Sequence, residues 1–253
     1  MRNPRSILIT GASSGIGAAL ARLYAAPGVH LAISGRDSAR LADVAAACQV
    51  AGAEIDAAAV DVTDRTTMKS WLLALDARRP IDLLIANAGI SAGTAGGSES
   101  ADQTRQVFAV NLEGVLNTVL PLLPAMQQRG RGQIALMSSL AGFRGFPGAP
   151  SYCASKAAVR IWGEALNGDL KPFGIGVSVI CPGFVRSRIT ARNAFAMPLL
   201  MDTERAARII RRGLARRRAR IAFPGPTYAA AWLLGALSPS LVDPLLRRLP
   251  KKG

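Results

Sequence analysis

The chain of 253 residues is 50% hydrophobic and 19% charged, and it is strongly basic, with a formal net charge of +15. This length suits one large domain with a substantial core, because no linker-like run divides the chain. The three cysteines have no metal-ligand spacing and His30 is the single histidine. A histidine-based metal site and a Ser-His-Asp triad are therefore excluded, and no metal is predicted.

Strand and helix patterns alternate along the chain. The strand candidates are continuous apolar runs, typical of strands covered on both faces, at 5–10, 29–34, 54–60, 81–86, 132–138, 175–181 and 219–222. The helix candidates span 15–26, 38–50, 64–78, 101–128, 151–173 and 203–217, with Asp64 and Thr203 as predicted N-caps. This alternation predicts an α/β fold, a single-domain doubly wound parallel sheet of about seven strands flanked by helices.

A glycine-rich turn follows the first predicted strand and precedes the first predicted helix. Gly11 allows a tight turn, Gly15 lets the backbone approach a pyrophosphate, and Gly17 lets the helix pack closely on the strand. The start of the helix offers free N–H groups and a partial positive charge to phosphates. The turn therefore predicts a Rossmann-like dinucleotide site at the carboxyl ends of the strands.

A tyrosine and a lysine four residues apart form a second motif, with a serine upstream. Tyr152 and Lys156 share one face of a helix because of their i,i+4 spacing, and Ser139 precedes them by thirteen positions. An ammonium beneath a phenol favours the phenolate and lowers a pKa that is ordinarily about 10. Acids and bases work best near neutral pH, so the motif predicts proton transfer to or from a substrate.

Together these residues resemble the short-chain dehydrogenase/reductase family, from Ile7 to about Ser187. The run Thr10–Gly17 is similar to the cofactor turn of that family, and Asp61-Val62 to its adenine-contacting pair. Asn87-Ala88-Gly89 is similar to the family motif that closes the fourth strand. Pro182-Gly183 is similar to the turn beside the nicotinamide.

The resemblance implies a catalytic tetrad and a set of cofactor contacts. The tetrad would be Asn111, Ser139, Tyr152 and Lys156. The cofactor contacts would be Gly11, Ser13, Ser14, Gly15, Ile16, Gly17, Arg36, Asp61, Val62, Asn87, Ala88, Gly89, Tyr152, Lys156, Pro182, Gly183, Val185 and Ser187.

The resemblance also implies a role for each member of the tetrad. Tyr152 would protonate a carbonyl oxygen or deprotonate an alcohol, and Lys156 would lower the pKa of Tyr152 and bind the nicotinamide ribose. Ser139 would orient the substrate oxygen, while alternation along the strand points its neighbour Ser138 the other way. Asn111 would hold a water that links Lys156 to solvent, a role compatible with binding backbone groups at a helix kink.

The end of the second predicted strand bears on the choice between NAD(H) and NADP(H). A carboxylate there would bind the ribose 2′-hydroxyl and repel a 2′-phosphate. The chain instead has Gly35 followed by Arg36, and a guanidinium suits a phosphate. We therefore predict NADP(H) in preference to NAD(H). Two features leave the choice of cofactor open. NADP-using members of the family often carry a second basic residue in the glycine turn, where this chain has Ser14, and Asp37 could bend toward the ribose.

Residues 188–203 lie where the family keeps its substrate lid. The apolar side chains of that segment would be Phe195, Met197, Leu199, Leu200 and Met201. They suit an apolar ketone, aldehyde or alcohol, and ordinary helix packing is the alternative. Phe143 and Phe146 could add to the wall of the pocket.

Residues 1–225 are predicted as the dehydrogenase/reductase domain and residues 226–253 as a C-terminal apolar and basic extension. The apolar run 228–237 is shorter than the roughly 20 residues that span a bilayer. A second apolar piece, 241–249, ends among cations at Arg247, Arg248, Lys251 and Lys252. We expect the extension to pack on the domain, on a partner subunit or on a membrane surface.

The basic charge is concentrated near the C-terminus. Residues 1–185 carry 16 basic and 13 acidic side chains, whereas residues 186–253 carry 15 basic and 3 acidic ones. Eight arginines lie between Arg205 and Arg220, and they form either a solvated face or a surface for an anionic partner. Because no aromatic interleaving or DNA-reading motif accompanies them, no specific nucleic-acid partner is predicted.

These features predict an NADP(H)-dependent oxidoreductase that interconverts a ketone or aldehyde and an alcohol on an apolar small molecule. The alternatives are a 3-oxoacyl carrier-protein reductase, docking an acidic carrier protein on its arginine-rich helix, and a non-catalytic NADPH-binding protein recruited to membranes. The resemblance implies a homodimer or homotetramer through the helices at 101–128 and 151–173. No apolar secretory segment lies within Met1 to Arg5, which predicts a cytoplasmic protein, with or without peripheral membrane contact.

Overall fold

A seven-stranded parallel sheet forms the centre of the protein in a computed structural model, which describes residues 3–91, 98–192 and 196–246. The strand order is β3-β2-β1-β4-β5-β6-β7. The strands are β1 Ser6–Thr10, β2 His30–Ser34, β3 Glu54–Ala58, β4 Leu83–Ala86, β5 Gly132–Met137, β6 Ile175–Pro182 and β7 Arg220–Phe223. Each lies within two residues of its predicted bounds, so the predicted doubly wound parallel sheet is confirmed.

Helices cover both faces of this sheet. They are α1 Gly15–Tyr24, α2 Ser38–Val50, α3 Arg65–Arg78, α4 Ala101–Phe108, α5 Gly114–Val119, α6 Leu123–Arg129, α7 Pro150–Leu170, α8 Thr203–Ala215, α9 Gly225–Ala236 and α10 Pro239–Leu246. One core cluster includes side chains of α1, α2 and α8, and another includes side chains of α3, α5 and α7. The strands are almost wholly buried except β3 and β7, which lie at the two edges of the sheet. This burial explains their continuous apolar sequences.

One of the two predicted helix caps is correct. The Asp64 carboxylate accepts a hydrogen bond from the Thr67 N–H at 3.0 Å and caps α3. The prediction for Thr203 is wrong by one residue, because α8 begins at Thr203 and its N-cap position is Asp202. The Thr203 hydroxyl instead donates to the Arg186 carbonyl at 2.8 Å, so it fixes the chain that leads into α8.

The helix predicted as continuous over 101–128 is interrupted twice. A π turn at Ala109–Glu113 separates α4 from α5, and a 3₁₀ turn at Leu120–Leu122 separates α5 from α6. Pro121, which lacks an N–H donor, explains the second interruption. As a whole, Ala101–Arg129 is long and apolar enough to cross a membrane by composition, but Val119 and Met126 of this run are buried in the core.

Candidate active site

The glycine turn after β1 is held against the end of β4. The Thr10 hydroxyl accepts hydrogen bonds from the Asn87 N–H at 3.1 Å and the Ala88 N–H at 3.2 Å. The Asn87 carboxamide donates in return to the carbonyls of Thr10 at 2.9 Å and Gly11 at 3.1 Å. Gly11 has φ +66°, and a Cβ there would lie 2.7 Å from Ala88 Cα. A Cβ on Gly17 would lie 2.4 Å from the Gly11 carbonyl oxygen, so both positions require glycine.

A crevice of about 660 Å³ opens above this turn, over the carboxyl ends of the strands. Its walls include every residue predicted to contact the cofactor except Gly17, which lies behind the turn. Residues that sequence reasoning missed also line it, namely Arg40, Val60, Ile90, Ser91, Val110 and Met137. The lining also includes Gly35, Asp37, Ser138 and residues 188–190 of the predicted lid. The size of the crevice and the glycine cradle at the start of α1 fit a dinucleotide.

The end of β2 presents cations to the crevice. Arg36 is exposed there, and its Nη1 lies 3.9 Å from Asp61 Oδ2. Asp37 also borders the crevice, but its carboxylate is engaged as the N-cap of α2, where it accepts a hydrogen bond from the Arg40 N–H at 3.0 Å. Asp37 Oδ2 also pairs with Arg40 Nη2 at 2.7 Å. A Cβ on Gly35 would lie 3.0 Å from the Ser13 hydroxyl, so β2 ends without a side chain that could bar access to Arg36.

Three members of the predicted tetrad meet in the crevice. Helix α7 places Tyr152 and Lys156 on one face, and the Ser139 hydroxyl reaches the Tyr152 phenol to form a hydrogen bond. Lys156 is 3% exposed, its Nζ donates to the Met137 carbonyl at 2.9 Å, and it lies 5.8 Å from the centre of the Tyr152 ring. The spacing that predicts a shared face for the phenol and the ammonium is matched by this geometry.

Burial controls the protonation of this group. Burial raises the pKa of the Tyr152 phenol, which the hydrogen bond from Ser139 lowers in part. Burial also lowers the pKa of Lys156 to about 8. Burial therefore acts against the expected lowering of the pKa of Tyr152 by Lys156, whose ammonium is turned to the Met137 carbonyl, and that role of Lys156 stays a prediction. The phenol is therefore protonated at neutral pH and can act as an acid.

The two adjacent serines have different partners. The Ser138 hydroxyl is buried and donates to the Lys156 carbonyl at 2.7 Å, which ties β5 to α7. The Ser139 hydroxyl accepts from the Ala141 N–H at 3.1 Å and meets the Tyr152 phenol. The predicted choice of Ser139 over Ser138 agrees with these contacts.

Asn111 lies behind the wall of the crevice, in the π turn between α4 and α5. Its Oδ1 accepts from the Ile90 N–H at 2.8 Å, and its Nδ2 donates to the Ile90 carbonyl at 2.9 Å and the Ser155 hydroxyl at 3.1 Å. A Cβ on Gly89 would lie 3.2 Å from Asn111 Oδ1 and 3.3 Å from Lys156 Nζ. Asn111 therefore joins the segment after β4 to the catalytic helix, and its role in holding a water stays a prediction.

The predicted lid at 188–203 is only partly in the crevice. Residues 188–190 line it, whereas Met201 is buried in the core and pairs with Val185 in an isolated bridge. Leu199 is exposed, and Phe195 lies outside the described residues. Met197 and Leu200 are partly exposed. For Met201 the alternative of ordinary packing is the correct one.

The two phenylalanines expected in the pocket wall lie elsewhere. Phe143 and Phe146 line a separate cavity of about 540 Å³, beside Cys153 and beneath Leu246 of α10. The Phe143 ring packs edge-on against Tyr228 of α9, with a centroid distance of 5.5 Å. The segment after Ser139 therefore packs against the C-terminal helices and does not form a wall of the crevice.

Comparisons with known proteins agree with this site. The family model described as short chain dehydrogenase matches residues 5–196. The chain belongs to the short-chain dehydrogenase family. It is an oxidoreductase that acts on CH–OH and C=O groups. An uncharacterized oxidoreductase of Myxococcus xanthus is 37% identical over 246 residues, which cover 97% of each chain. The ketoacyl reductase HetN of Nostoc is 34% identical over 182 residues, 72% of this chain and 63% of HetN.

Solved structures of this family carry the same fold. A short-chain dehydrogenase from Sphingobium yanoikuyae in complex with NADPH matches with a TM-score of 0.81 at 28% identity, covering 97% of this chain and 96% of that one. A short chain dehydrogenase from Mycobacterium paratuberculosis bound to NAD matches with a TM-score of 0.77 at 25% identity, covering 89% and 98%. Together with the glycine cradle, they support a nicotinamide cofactor in the crevice.

Proposed function

We propose that this short-chain dehydrogenase uses NADP(H) to reduce apolar ketones or aldehydes, and that it catalyses the reverse oxidation of the corresponding alcohols. The observation that carries the proposal is the hydrogen bond between Ser139 and Tyr152, formed beside the buried Lys156 in a crevice built on a dinucleotide turn. A hydroxyl and a phenol in contact provide two donors for one oxygen atom, as carbonyl reduction requires.

The nicotinamide cofactor, when bound, supplies or accepts the hydride. The Ser139 hydroxyl orients the substrate oxygen, and the Tyr152 phenol, kept protonated by burial, donates its proton to that oxygen in reduction. Lys156, with a pKa of about 8, is a cation at neutral pH and stabilises the phenolate that remains. Asn111, joined to Ile90 and Ser155, holds the geometry from which a water could return a proton.

The preference for NADP(H) rests on Arg36. Its exposed guanidinium faces the crevice at the end of β2, where Asp37 is engaged as the cap of α2. A guanidinium there can bind a 2′-phosphate, whereas the ribose hydroxyl of NAD(H) offers it no charge to neutralise. The NADPH complex of the similar Sphingobium yanoikuyae protein supports this preference.

The apolar substrate and the oligomer rest on exposed apolar groups. Ile90, Val185 and Ile189 give the crevice apolar walls near its polar catalytic group. Leu120 and Ile161 are half or more exposed, on the helical regions expected to form the subunit interface. A homodimer or homotetramer would cover these side chains.

A 3-oxoacyl carrier-protein reductase is the second candidate. The similarity to the ketoacyl reductase HetN favours it, and the arginines of α8 would offer an acidic carrier protein a docking surface. Such an enzyme would prefer carrier-bound substrates to free thioesters.

A panel of ketones, aldehydes, alcohols and acyl thioesters, screened by NADPH and NADH absorbance, tests the proposal. We expect turnover of apolar carbonyl compounds with NADPH and slower turnover with NADH. Equal rates with the two cofactors would remove the NADP(H) preference, and a large preference for carrier-bound thioesters would favour the second candidate. A protein that binds NADPH and reduces no member of the panel would contradict both.

A further inference from the structure

The C-terminal helix α9 has an exposed apolar side. Its inner side packs on the domain, where Tyr228 contacts Phe143 and Ala231 is buried. One turn beyond Tyr228, Trp232 is 56% exposed, and its neighbour Leu233 is 55% exposed. In the following helix, α10, Leu241 is 71% exposed. Exposed apolar side chains of this size indicate a surface that contacts another body.

A cavity of about 450 Å³ lined by arginines lies beside the start of this helix. Its basic side chains are Arg212, Arg216, Arg218 and Arg220. Glu164 neutralises Arg220 in an ion pair. Among the residues that the structure describes, no carboxylate pairs with the other three arginines. The cavity therefore has an excess of positive charge that suits an anion of phosphate type.

Tyr228 connects the cavity to the apolar side. It lines the cavity, and its hydroxyl accepts a hydrogen bond from Arg220 Nη1 at 3.0 Å. Trp232 follows one helical turn later, about 6 Å along the axis at the rise of an α-helix. The exposed Trp232 therefore lies about one helical turn from the arginine cavity. We call this region the α8–α9 surface, consisting of Arg212, Arg216, Arg218, Tyr228, Trp232 and Leu233.

We propose that the α8–α9 surface docks the protein on an anionic phospholipid bilayer. Phosphate head groups enter the arginine cavity, while Trp232 and Leu233 enter the interfacial layer. Tryptophan is suited to that layer because it has both an apolar ring and a polar N–H. Helix α9 has 12 residues and is too short to span a bilayer, so the contact is peripheral. An acidic protein would explain the arginines and leave the exposed apolar side without a role.

Vesicle flotation with the full chain tests the proposal. We expect the protein to float with vesicles of phosphatidylcholine and phosphatidylglycerol and to remain in solution with phosphatidylcholine alone. Raising the salt concentration should release it, because the Debye length falls below about 10 Å above 0.1 M. This readout does not depend on activity, so it stands or falls separately from the proposed reaction.

Two matched variants assign the binding to its parts. The triple variant Arg212→Gln/Arg216→Gln/Arg218→Gln should bind anionic vesicles at least about tenfold more weakly, since each cation at the surface contributes. Its control removes three exposed cations outside the cavity, by Arg65→Gln/Arg105→Gln/Arg131→Gln, and should bind nearly as the native protein does.

The second variant, Trp232→Ser/Leu233→Ser, should lose a similar share of the binding. Its control, Val50→Ser/Leu73→Ser, removes exposed apolar side chains elsewhere and should not. Thermal unfolding of each variant shows that it is folded.

Four results would overturn the proposal. They are absence of binding to anionic vesicles, equal binding to both kinds of vesicle, equal losses in variants and controls, and complete release by inorganic phosphate at matched ionic strength. The last result would assign the cavity to a soluble anion. A smaller assembly of Trp232→Ser/Leu233→Ser in size-exclusion chromatography, without vesicle binding by the native protein, would assign the surface to a second copy of the chain.

Discussion

Polar side chains are hydrogen-bonded to the backbone in the crevice, whereas those of the C-terminal surface border a cavity beside exposed apolar side chains. In the crevice, Asn87, Asn111 and Lys156 are bound by backbone groups from neighbouring elements. On the α8–α9 surface, Arg212 and Arg216 project beside a cavity, and apolar side chains meet solvent. Paired groups hold catalytic geometry against thermal motion, whereas unpaired charges are available to a partner. The contrast separates the proposed catalytic site from the proposed docking surface.

The largest expected effect contrasts two tyrosines, one in each region. Tyr152→Phe should lower kcat by about 10² or more, the scale for losing an acid–base group, and leave NADPH affinity unchanged. Tyr228→Phe removes a hydroxyl that accepts from Arg220 and should turn over near the native rate. Steady-state rates and NADPH fluorescence titration measure both. Similar losses in the two variants would contradict the separation of the regions.

The second effect is the cost of burying Lys156. Its pKa is lowered from 10.5 to about 8, so the unfolded chain binds more protons than the folded chain between these values. The buried ammonium therefore destabilises the folded protein fully below pH 8. As the pH rises toward 10.5, the free energy of unfolding should increase by up to about 3 kcal/mol, since one pKa unit corresponds to about 1.36 kcal/mol.

Urea unfolding of the native protein and of Lys156→Met from pH 7 to above pH 8 measures this effect. The free energy of unfolding of the native protein should rise relative to that of the variant over this range. Parallel pH profiles would show that Lys156 is not a buried cation in the folded protein.

A pair of glycines distinguishes close packing from backbone strain. Gly11 and Gly130 have nearly the same φ, +66° and +64°, but only a Cβ on Gly11 would meet other atoms within 4 Å, at Ala88. Both alanine variants should lose about 1 to 2 kcal/mol of stability from the left-handed backbone, and Gly11→Ala should lose more because its Cβ would collide with Ala88. Gly11→Ala should also weaken NADPH binding at least about tenfold, equivalent to about 1.4 kcal/mol. Calorimetric titration measures it, and equal affinities would remove the turn from the cofactor site.

Arg36 should affect one cofactor and spare the other. Arg36→Gln should raise KM for NADPH about tenfold, because hydrogen bonds to charged groups contribute about 1.5 to 3 kcal/mol, and should leave KM for NADH nearly unchanged. Arg65→Gln, at an exposed position of α3, is the control. If both KM values rise together, Arg36 does not bind the 2′-phosphate.

The smallest effect concerns the attachment of α9. A Cβ on Gly235 would lie 2.4 Å from the Phe143 carbonyl oxygen, whereas one on Gly225 would meet nothing within 4 Å. Gly235→Ala should lower the free energy of unfolding by about 1 kcal/mol, at the low end for overpacking because a surface helix can shift outward. Gly225→Ala should not lower it. Equal stability of the two variants, measured in urea, would mean that α9 is not packed on Phe143.

Much of the fold and of the crevice was predictable because the signals are local. Buried strands need apolar runs, the turn after β1 needs glycine where a Cβ would collide with Ala88, and a separation of four residues places Tyr152 and Lys156 on one helix face. The bounds of the strands follow from such rules, whereas the cofactor contacts along the crevice are implied by the resemblance to the family. Asp64 caps α3 for the same local reason.

Other features depend on residues that are distant in the chain. The π turn at Asn111 is tied to Ile90 and Ser155, neither of which marks a π turn in the sequence. Phe143 contacts Tyr228 of α9 and so lies away from the crevice. The environment of Tyr152, and with it the direction of its pKa shift, is set by burial, which no short motif encodes.

The sequence by itself determined the alternating architecture, the glycine turn after β1 and the shared helix face of Tyr152 and Lys156, since each depends on residue type and spacing along a few turns of chain. Tertiary structure alone decided the partner of the Lys156 ammonium, the place of Phe143 and the position of Tyr228 at the arginine-lined cavity. These depend on how far each group is removed from water and on which distant groups surround it, and both are settled only when the elements pack together.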